Sequence, residues 1–560
     1  MASASCSDDD DDNGGVGARG GSSGSKGTSK AGTSGKAGAG KGGSAGSATG
    51  GKSGAGGSTC GQGGKSAQAG AGQGGTSAGQ GGEAGEAGAA GEAGAGAAGE
   101  AGAAGASGAG GEGGQGPVLA DPCRGIELPE AQRFVAEGLC VRAIATNQDK
   151  LRQISFTSNG DLIGVTSGGD IRRYRDVDGD GTFFGAGDVV ELGSTVSTNG
   201  NNAHVDEAAG YLYSGTAAGV ARWPYAATET ALGTREDVVV NQPSTGTHQL
   251  HTVHVYGGFL YVHSGSENNA VAPAAPAYDT NRAVLKRFNL ANFTPGTPFD
   301  WTTGEVVVRG IRNMVGFTRN AAGRMYGVVN GIDNLIYEGE DVHVDNPGED
   351  LILLEPDTAH GYPYCFTAQH ILDTNGDPIP AGTQLVSATD PTQPDPDFTN
   401  PNDQAFCDEN SDEPDTFLPA HSAPLDIVFF DGPDGNLPEE WRGGAFVTLH
   451  GSWNTTPSVG HSVVWMPFDG QGNAPMPVAT ETGTTFPFTV VFGGGSGDTH
   501  EDGIWSWSNG TVGEDPVRPV GVAVSPVDGA LYVSSDNGQV AGGAASAEQG
   551  VLYRIGIQRE

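Results

Sequence analysis

The chain has no apolar run of 18 or more residues, so it carries no sequence signature of a membrane-spanning helix. It is poor in basic residues: 28 Lys and Arg stand against 67 Asp and Glu, a formal net charge of −39. Such a balance argues against nucleic acid as a partner and against anionic lipid surfaces. Cysteine is scarce, with only Cys6, Cys60, Cys123, Cys140, Cys365 and Cys407. In an oxidising compartment Cys123 with Cys140, and Cys365 with Cys407, could each staple a local loop. Four ordinary thiols are the other reading, and connectivity is not legible at this stage. Before residue 117 the chain also lacks proline and nearly all large apolar side chains.

What fills that first stretch is Gly, Ala and Ser with interspersed Lys and then Glu, as in AGEAGAAGEAGAGAAGEAG. Nothing there offsets the backbone entropy lost on folding, so residues 1–117 are expected to form a disordered tether. The glycines do not recur at every third position, which excludes a collagen helix. The opening Met1-Ala-Ser-Ala-Ser-Cys6, followed by Asp8 to Asp12, lacks the charged and apolar regions of a signal peptide. Its small residues before Cys6 nevertheless resemble the cleavage end of a bacterial lipoprotein signal. That reading puts a lipid anchor on Cys6 and the protein outside the cytoplasm, in the periplasm or on the outer surface. An incidental cysteine is the alternative.

From residue 118 the texture changes. An apolar strand, a polar turn with Gly and a second strand rich in Leu, Tyr and Val recur six times. The instances begin at RQISFTSNGDLIGVT (152–166), AHVDEAAGYLYSGT (203–216), HTVHVYGGFLYVHSGS (251–266), RNMVGFTRNAAGRMYGVVN (312–330), PLDIVFFDG (424–432) and RPVGVAVSPVDGALYVSSD (518–536). Several continue into a third strand, as in GDIRRYR and GVLYRIGI. One such sheet cannot bury both faces, whereas stacking units around an axis does, so 118–560 is expected to be an all-β, six-bladed propeller. RFVAEGLCVRAIAT (133–146) is expected to add an outer strand to the last blade. The segments 332–423 and 470–515, rich in Pro, Asp, Asn and Gly, read as loops over one face.

Across 150–558 these motifs resemble the pyrroloquinoline-quinone (PQQ) dependent glucose/sorbosone dehydrogenase family, in particular its sorbosone-type branch. The carriers are HSAPLDIVFFDG and LPEEWRGGAFVTLHGSWN (421–454), GIRNMVGF (310–317), RPVGVAV near the C-terminus and GYPYCF (361–366). The resemblance implies PQQ over the ring axis with Ca2+ beside it, and oxidation of a sugar or sugar-derived aldehyde or alcohol by hydride transfer. It implies an electron acceptor that the residues do not identify. That chemistry needs a base for the hydroxyl proton, donors for the developing oxyanion and cations for three carboxylates. His248 falls where the family places its catalytic base; His251 competes with it, and alternation makes His254 a packing residue. Arg312 and Asn313 would face the quinone oxygens. Arg152 and Arg518 would clamp carboxylates, and His450 would serve as a cation or hydrogen-bond donor to the cofactor. Trp453 would stack on the sugar or the cofactor, or simply pack. Thr247 stands where some relatives carry an acid that orients the base. The loop 328–341 departs from the family's metal loop, with Asn330 and Asp333 the candidates near calcium.

RDVDGDGTFFGAGD (175–188) is a separate acidic signal. Asp176, Asp178 and Asp180 alternate before Gly181, and Asp188 follows, so these oxygens either bind a structural Ca2+ or cap a solvated turn. A non-catalytic propeller binding carbohydrate or protein at the cell surface is the alternative function. A lactonase-like calcium propeller ranks last, because the axial positions read as His and Arg rather than acids.

Overall fold

The computed structural model describes residues 121–559 apart from 129–132, 196, 199, 272–277, 390–397, 399, 434, 453, 456–457, 495–516 and 537–549. The tether 1–117, Cys6 and Trp453 therefore lie outside the described residues.

Nearly all the regular structure of the described chain is strand, with a single α-helix, Gln404–Asn410. Six sheets of four or five strands follow one another, antiparallel except where the edge strands Phe299–Asp300 and Thr358–Ala359 add in parallel. Their first strands are Leu151–Phe156, Ala203–Asp206, Val253–Tyr256, Asn313–Arg319, Pro424–Phe429 and Pro519–Val524. Each opens one of the six recurrent motifs, and each hairpin turns at a Gly-containing segment, for example Gly257 and Gly258 with φ of 58° and 80°. A side chain is strained in that left-handed region, which is why glycine recurs there. The last strand, Val551–Ile557, pairs with Leu139–Thr146, as expected of the segment 133–146. Arg133–Val135 joins the fifth sheet instead, beside Thr489–Gly494.

Side-chain hydrogen bonds tie each sheet to the next and the sixth back to the first. Ser155 Oγ donates to Ala203 O at 3.1 Å, and Asn202 Oδ1 accepts from Val253 N at 2.9 Å. His263 Nε2 accepts from Met314 N at 3.3 Å, and Asn330 Nδ2 donates to Pro424 O at 3.2 Å. Thr448 Oγ1 donates to Val520 O, and Ser534 Oγ to Arg152 O. Gln153 Nε2 reaches across the centre to Val315 O and Leu425 O, beside an axial plug of Val315, Leu425 and Val520. Between sheets lie apolar layers such as Ile163, Val165, Leu212 and Trp223, each nearly sealed from water.

The segment 332–423 is more than loops. It supplies the third and fourth strands of the fourth sheet, Glu349–Leu353 and Thr416–Leu418. It also builds its own core from Tyr364, Phe366, Leu385 and Cys407. Loops were expected because that core is assembled from short strands too brief to show a period. Cys123–Cys140 and Cys365–Cys407 are both disulfides. No helix among the described residues is long and apolar enough to cross a membrane.

Candidate active site

The chemistry-bearing side chains cluster where the inner strands begin. Asn313 opens the inner strand of the fourth sheet with Arg312 immediately before it, and Arg518 immediately precedes that of the sixth. His248 sits five residues before Val253, packed against the end of the neighbouring strand Phe259–Ser264. A Cβ on Gly265 would come within 2.6 Å of His248 Cβ and 2.8 Å of His248 O. Only a glycine there lets the histidine lie flat on the strand end, and the same missing side chain leaves Asn313 Oδ1 close by.

His248 is buried, and its Nδ1 lies 2.7 Å from Ser266 Oγ. Its Nε2 is buried with no hydrogen-bond partner among the described residues. Burial first, then the charge of Arg312 and the neighbouring His263, hold its pKa well below the ordinary histidine value. Arg312 is fixed on two sides. Nε donates to Asn269 O at 3.0 Å, and Nη2 to Asn269 Oδ1 at 2.9 Å and Asp333 Oδ2 at 3.1 Å. Its Nη1 remains buried and unsatisfied among the described residues. Leaving such donors empty costs free energy, so an anionic or carbonyl-bearing ligand is the natural complement.

Asp333 anchors more than Arg312. Asn454 Nδ2 donates to its Oδ1 at 2.7 Å, and His421 Nδ1 stands 3.8 Å from the same oxygen. His343 completes a group in which the three side chains' ligand atoms lie within 4.8 Å of one another. His343 Nδ1, however, already accepts from Asn334 N at 3.0 Å. Asn330 Nδ2 holds Asn313 O and Pro424 O, while its Oδ1 is buried without a partner among the described residues. The loop is pinned by Glu349, whose Oε2 accepts from Gly331 N at 2.6 Å. On the far side, Arg518 Nη2 lies 2.8 Å from His450 Nδ1, and His450 Nε2 lies 3.2 Å from Asp536 Oδ2. Arg152 is buried in the first inner strand, next to Ser534 through its carbonyl.

His251 turns away, with Nδ1 3.0 Å from Thr216 O, and His254 stacks on Tyr256 with ring planes 6° apart, a packing residue as expected. Thr247 does not orient His248; its Oγ1 donates to Glu267 O at 3.3 Å. The axial site is not free of acids, since Asp333 and Asp536 face Arg312 and His450. Asp333 was already a candidate for calcium, whereas Asp536 was hidden in sequence because it follows a strand that only the fold brings to the centre. Ser266, Asn269 and Asn454 were missed for the same reason. His421 stood inside the HSAPL motif, and its left-handed φ of 60° is the one local trace of a constrained role.

The acidic loop is remote from this site. Asp176, Asp178 and Asp188 bring carboxylate oxygens within 4.8 Å of one another, but Asp180 turns to Thr182 at 2.7 Å. Asp176 accepts from Gly179, Asp180 and Gly181, so these carboxylates also cap their own turn.

Sheets tied around an axis, with a polar cation-bearing site at the starts of their inner strands, define a β-propeller. Residues 134–541 match the TrAA12-like family, and the chain belongs to it. It is 30% identical over 428 residues to a PQQ-dependent pyranose dehydrogenase of Coprinopsis cinerea, covering 74% of this chain and 54% of that protein. The chain thus spans about half the length of that relative. It is 28% identical over 336 residues to a PQQ-dependent sugar dehydrogenase of Hypocrea jecorina, covering 57% of this chain and 73% of that protein. Among solved structures, the holo PQQ domain of the Coprinopsis cinerea pyranose dehydrogenase superposes with a TM-score of 0.60 at 24% identity, covering 78% of this chain and 99% of that one. A calcium structure of the Trichoderma reesei family AA12 enzyme gives a TM-score of 0.60 at 23% identity, again over 78% and 99%. At those identities the superpositions speak for the fold.

Proposed function

We propose that this protein is a PQQ- and Ca2+-dependent oxidoreductase acting on a sugar, with a six-bladed propeller as its scaffold. The observation that carries the reading is the pair of buried nitrogens without a partner among the described residues, His248 Nε2 and Arg312 Nη1, which belong to neighbouring side chains. The family relatives, named for pyranose and sugar oxidation, point to a pyranose or similar sugar as substrate. The residues fit the cofactor: Arg152, His450 and Arg518 offer cationic or donor groups for its carboxylates, and Asn330 Oδ1 with Asp333 offers oxygen to calcium. When bound, the quinone supplies the two-electron acceptor.

The rest of the work falls to the chain's own side chains. His248, kept neutral by burial, accepts the substrate hydroxyl proton at Nε2. Arg312, held in place by Asn269 and Asp333, presents Nη1 to negative charge as it develops, with Asn313 beside it. Asp333 and Asp536 offset the cations, so that the site is not a bare positive pocket. Two disulfides suit an extracytoplasmic location.

The test is reconstitution of purified protein with PQQ and Ca2+, followed by dye reduction across a panel of sugars. His248→Ala is expected to bind PQQ normally and to lose roughly 100-fold or more in turnover, the usual share of a general base. Arg518→Ala is expected to weaken PQQ binding instead. Wild-type protein that binds no PQQ would remove the enzyme reading in favour of a non-catalytic carbohydrate- or protein-binding propeller.

A further inference from the structure

We infer that Ser266 is the positioning residue of the base, fixing His248 in the tautomer that carries its hydrogen on Nδ1 and leaves the Nε2 lone pair open. The inference rests on the role proposed for His248, and it replaces the orienting acid that the neighbouring position, Thr247, does not provide.

The argument is one of proton accounting. Ser266 Oγ lies 2.7 Å from His248 Nδ1 and 2.8 Å from Asn268 O, and the Tyr362 hydroxyl, whose own hydrogen goes to Asn268 O, also stands within its reach. A carbonyl oxygen can only accept, so the single hydroxyl hydrogen of Ser266 goes to Asn268 O. If it pointed at His248 instead, two acceptor oxygens would face each other at 2.8 Å with nothing between them. Ser266 Oγ must then accept from His248, and Nδ1 must be the protonated nitrogen. In a neutral imidazole this leaves Nε2 as a lone pair, and that is the buried atom without a partner among the described residues.

The surroundings hold this arrangement rigidly. Ser266 N donates to Arg312 O at 2.8 Å, which ties the serine to the same segment as the oxyanion donor. Tyr362 Oη donates to Asn268 O at 3.1 Å and accepts from Val271 N at 3.2 Å, so the carbonyl that receives the serine hydrogen is itself fixed. Thr247 binds Glu267 through both its backbone N and its side chain, keeping the 266–268 turn against His248. The charged or titratable groups that face the ring are Arg312 and His263. A serine orients the ring without adding a negative charge. It therefore sets the tautomer but leaves the imidazole a weak base, where an aspartate would make it a strong one.

Nitrogen-15 NMR of histidine-labelled protein, prepared without cofactor, reads the tautomer directly, and His248→Gln assigns its signals. Wild-type His248 is expected as the Nδ1–H form, Ser266→Ala as a mixture or the Nε2–H form, and Ser266→Thr, which keeps the hydroxyl, as the wild-type form. In reconstituted protein Ser266→Ala is expected to bind PQQ unchanged and to lose roughly tenfold in kcat, about one buried hydrogen bond. Ser266→Asp is expected to move the acid limb of the pH–kcat profile upward. Wild-type His248 in the Nε2–H form, or Ser266→Ala with the wild-type tautomer, overturns the inference. Full activity of His248→Gln with the tautomers as expected would instead remove His248 as the base and leave the positioning of its ring intact.

Discussion

Replacing Glu349 by Gln should flatten the alkaline side of the protein's stability profile by one proton. Glu349, Asp350 and Asp426 are buried carboxyls whose folded pKa values are pushed up to about 8, 7 and 8, burial being the largest cause in each. In the unfolded chain such groups titrate near pH 4. The folded state therefore binds extra protons, and the stability they contribute is full below about pH 4 and lost as pH rises through 7 to 8. Buried histidines pull the other way. His204, His251 and His360 are lowered to about 4, and His263 and His461 to about 3, again mainly by burial. Their contribution is present above the unfolded value near 6.5 and lost as pH falls toward 4. The two sets balance near pH 6.5, which should be the stability maximum of the cofactor-free protein. Between pH 6.5 and 7.5 the carboxyls alone would lower stability by about 3 kcal/mol per pH unit, and the histidines, still partly protonated in the unfolded chain, offset roughly half of that. Gln at 349 can still accept from Gly331 N but binds no proton, so the slope should fall by about 1.4 kcal/mol per unit. Denaturant midpoints at pH 6.5, 7.0 and 7.5, with salt fixed, provide the measurement. A Glu349→Gln profile parallel to wild type would show that Glu349 is ionised in the folded state and refute the reasoning.

Two further outcomes concern architecture. A chain starting at residue 147 lacks the strand Leu139–Thr146 and should leave Val551–Ile557 as an open edge, read by sedimentation as association or loss of soluble protein. Converting Cys365 and Cys407 together to Ser opens a loop of sequence separation 42 and should cost about 3–4 kcal/mol locally. Hydrogen exchange should then rise across residues 358–418 while the other sheets keep their protection.

Much of the ring was legible because each inner hairpin combines two-residue alternation with a glycine turn, as in HVYGGFLYV. The fourth strands were not. Thr416–Leu418 is three residues long and starts 63 residues beyond Leu353 (416 − 353), the end of the third strand it pairs beside, so no periodicity could announce it. At the site, His248, Arg312, Asn313 and Arg518 sit at strand starts, where a motif fixes them in register. Ser266 gains meaning only once the hairpin Val253–Ser264 has folded back and returned it to His248, 18 residues away. Asp536 likewise follows a strand end and meets His450 across 86 residues of chain. Such pairs belong to the three-dimensional arrangement, and spacing along the chain does not encode them.

The pairing of Leu139–Thr146 with Val551–Ile557 has a consequence for biogenesis. The partner that the first long strand needs is synthesised only after the five other sheets. Arg554 even reaches back to Pro122 O, across 432 residues. The inner hairpins can form as they emerge, but the outermost seam must wait for the whole domain. Until then both strands present unpaired backbone to the surroundings, during the slowest and most aggregation-exposed stage of folding. A nascent chain stalled or cleaved just before Val551 would keep five complete sheets, and would be left as an unsealed ring with two adhesive edges.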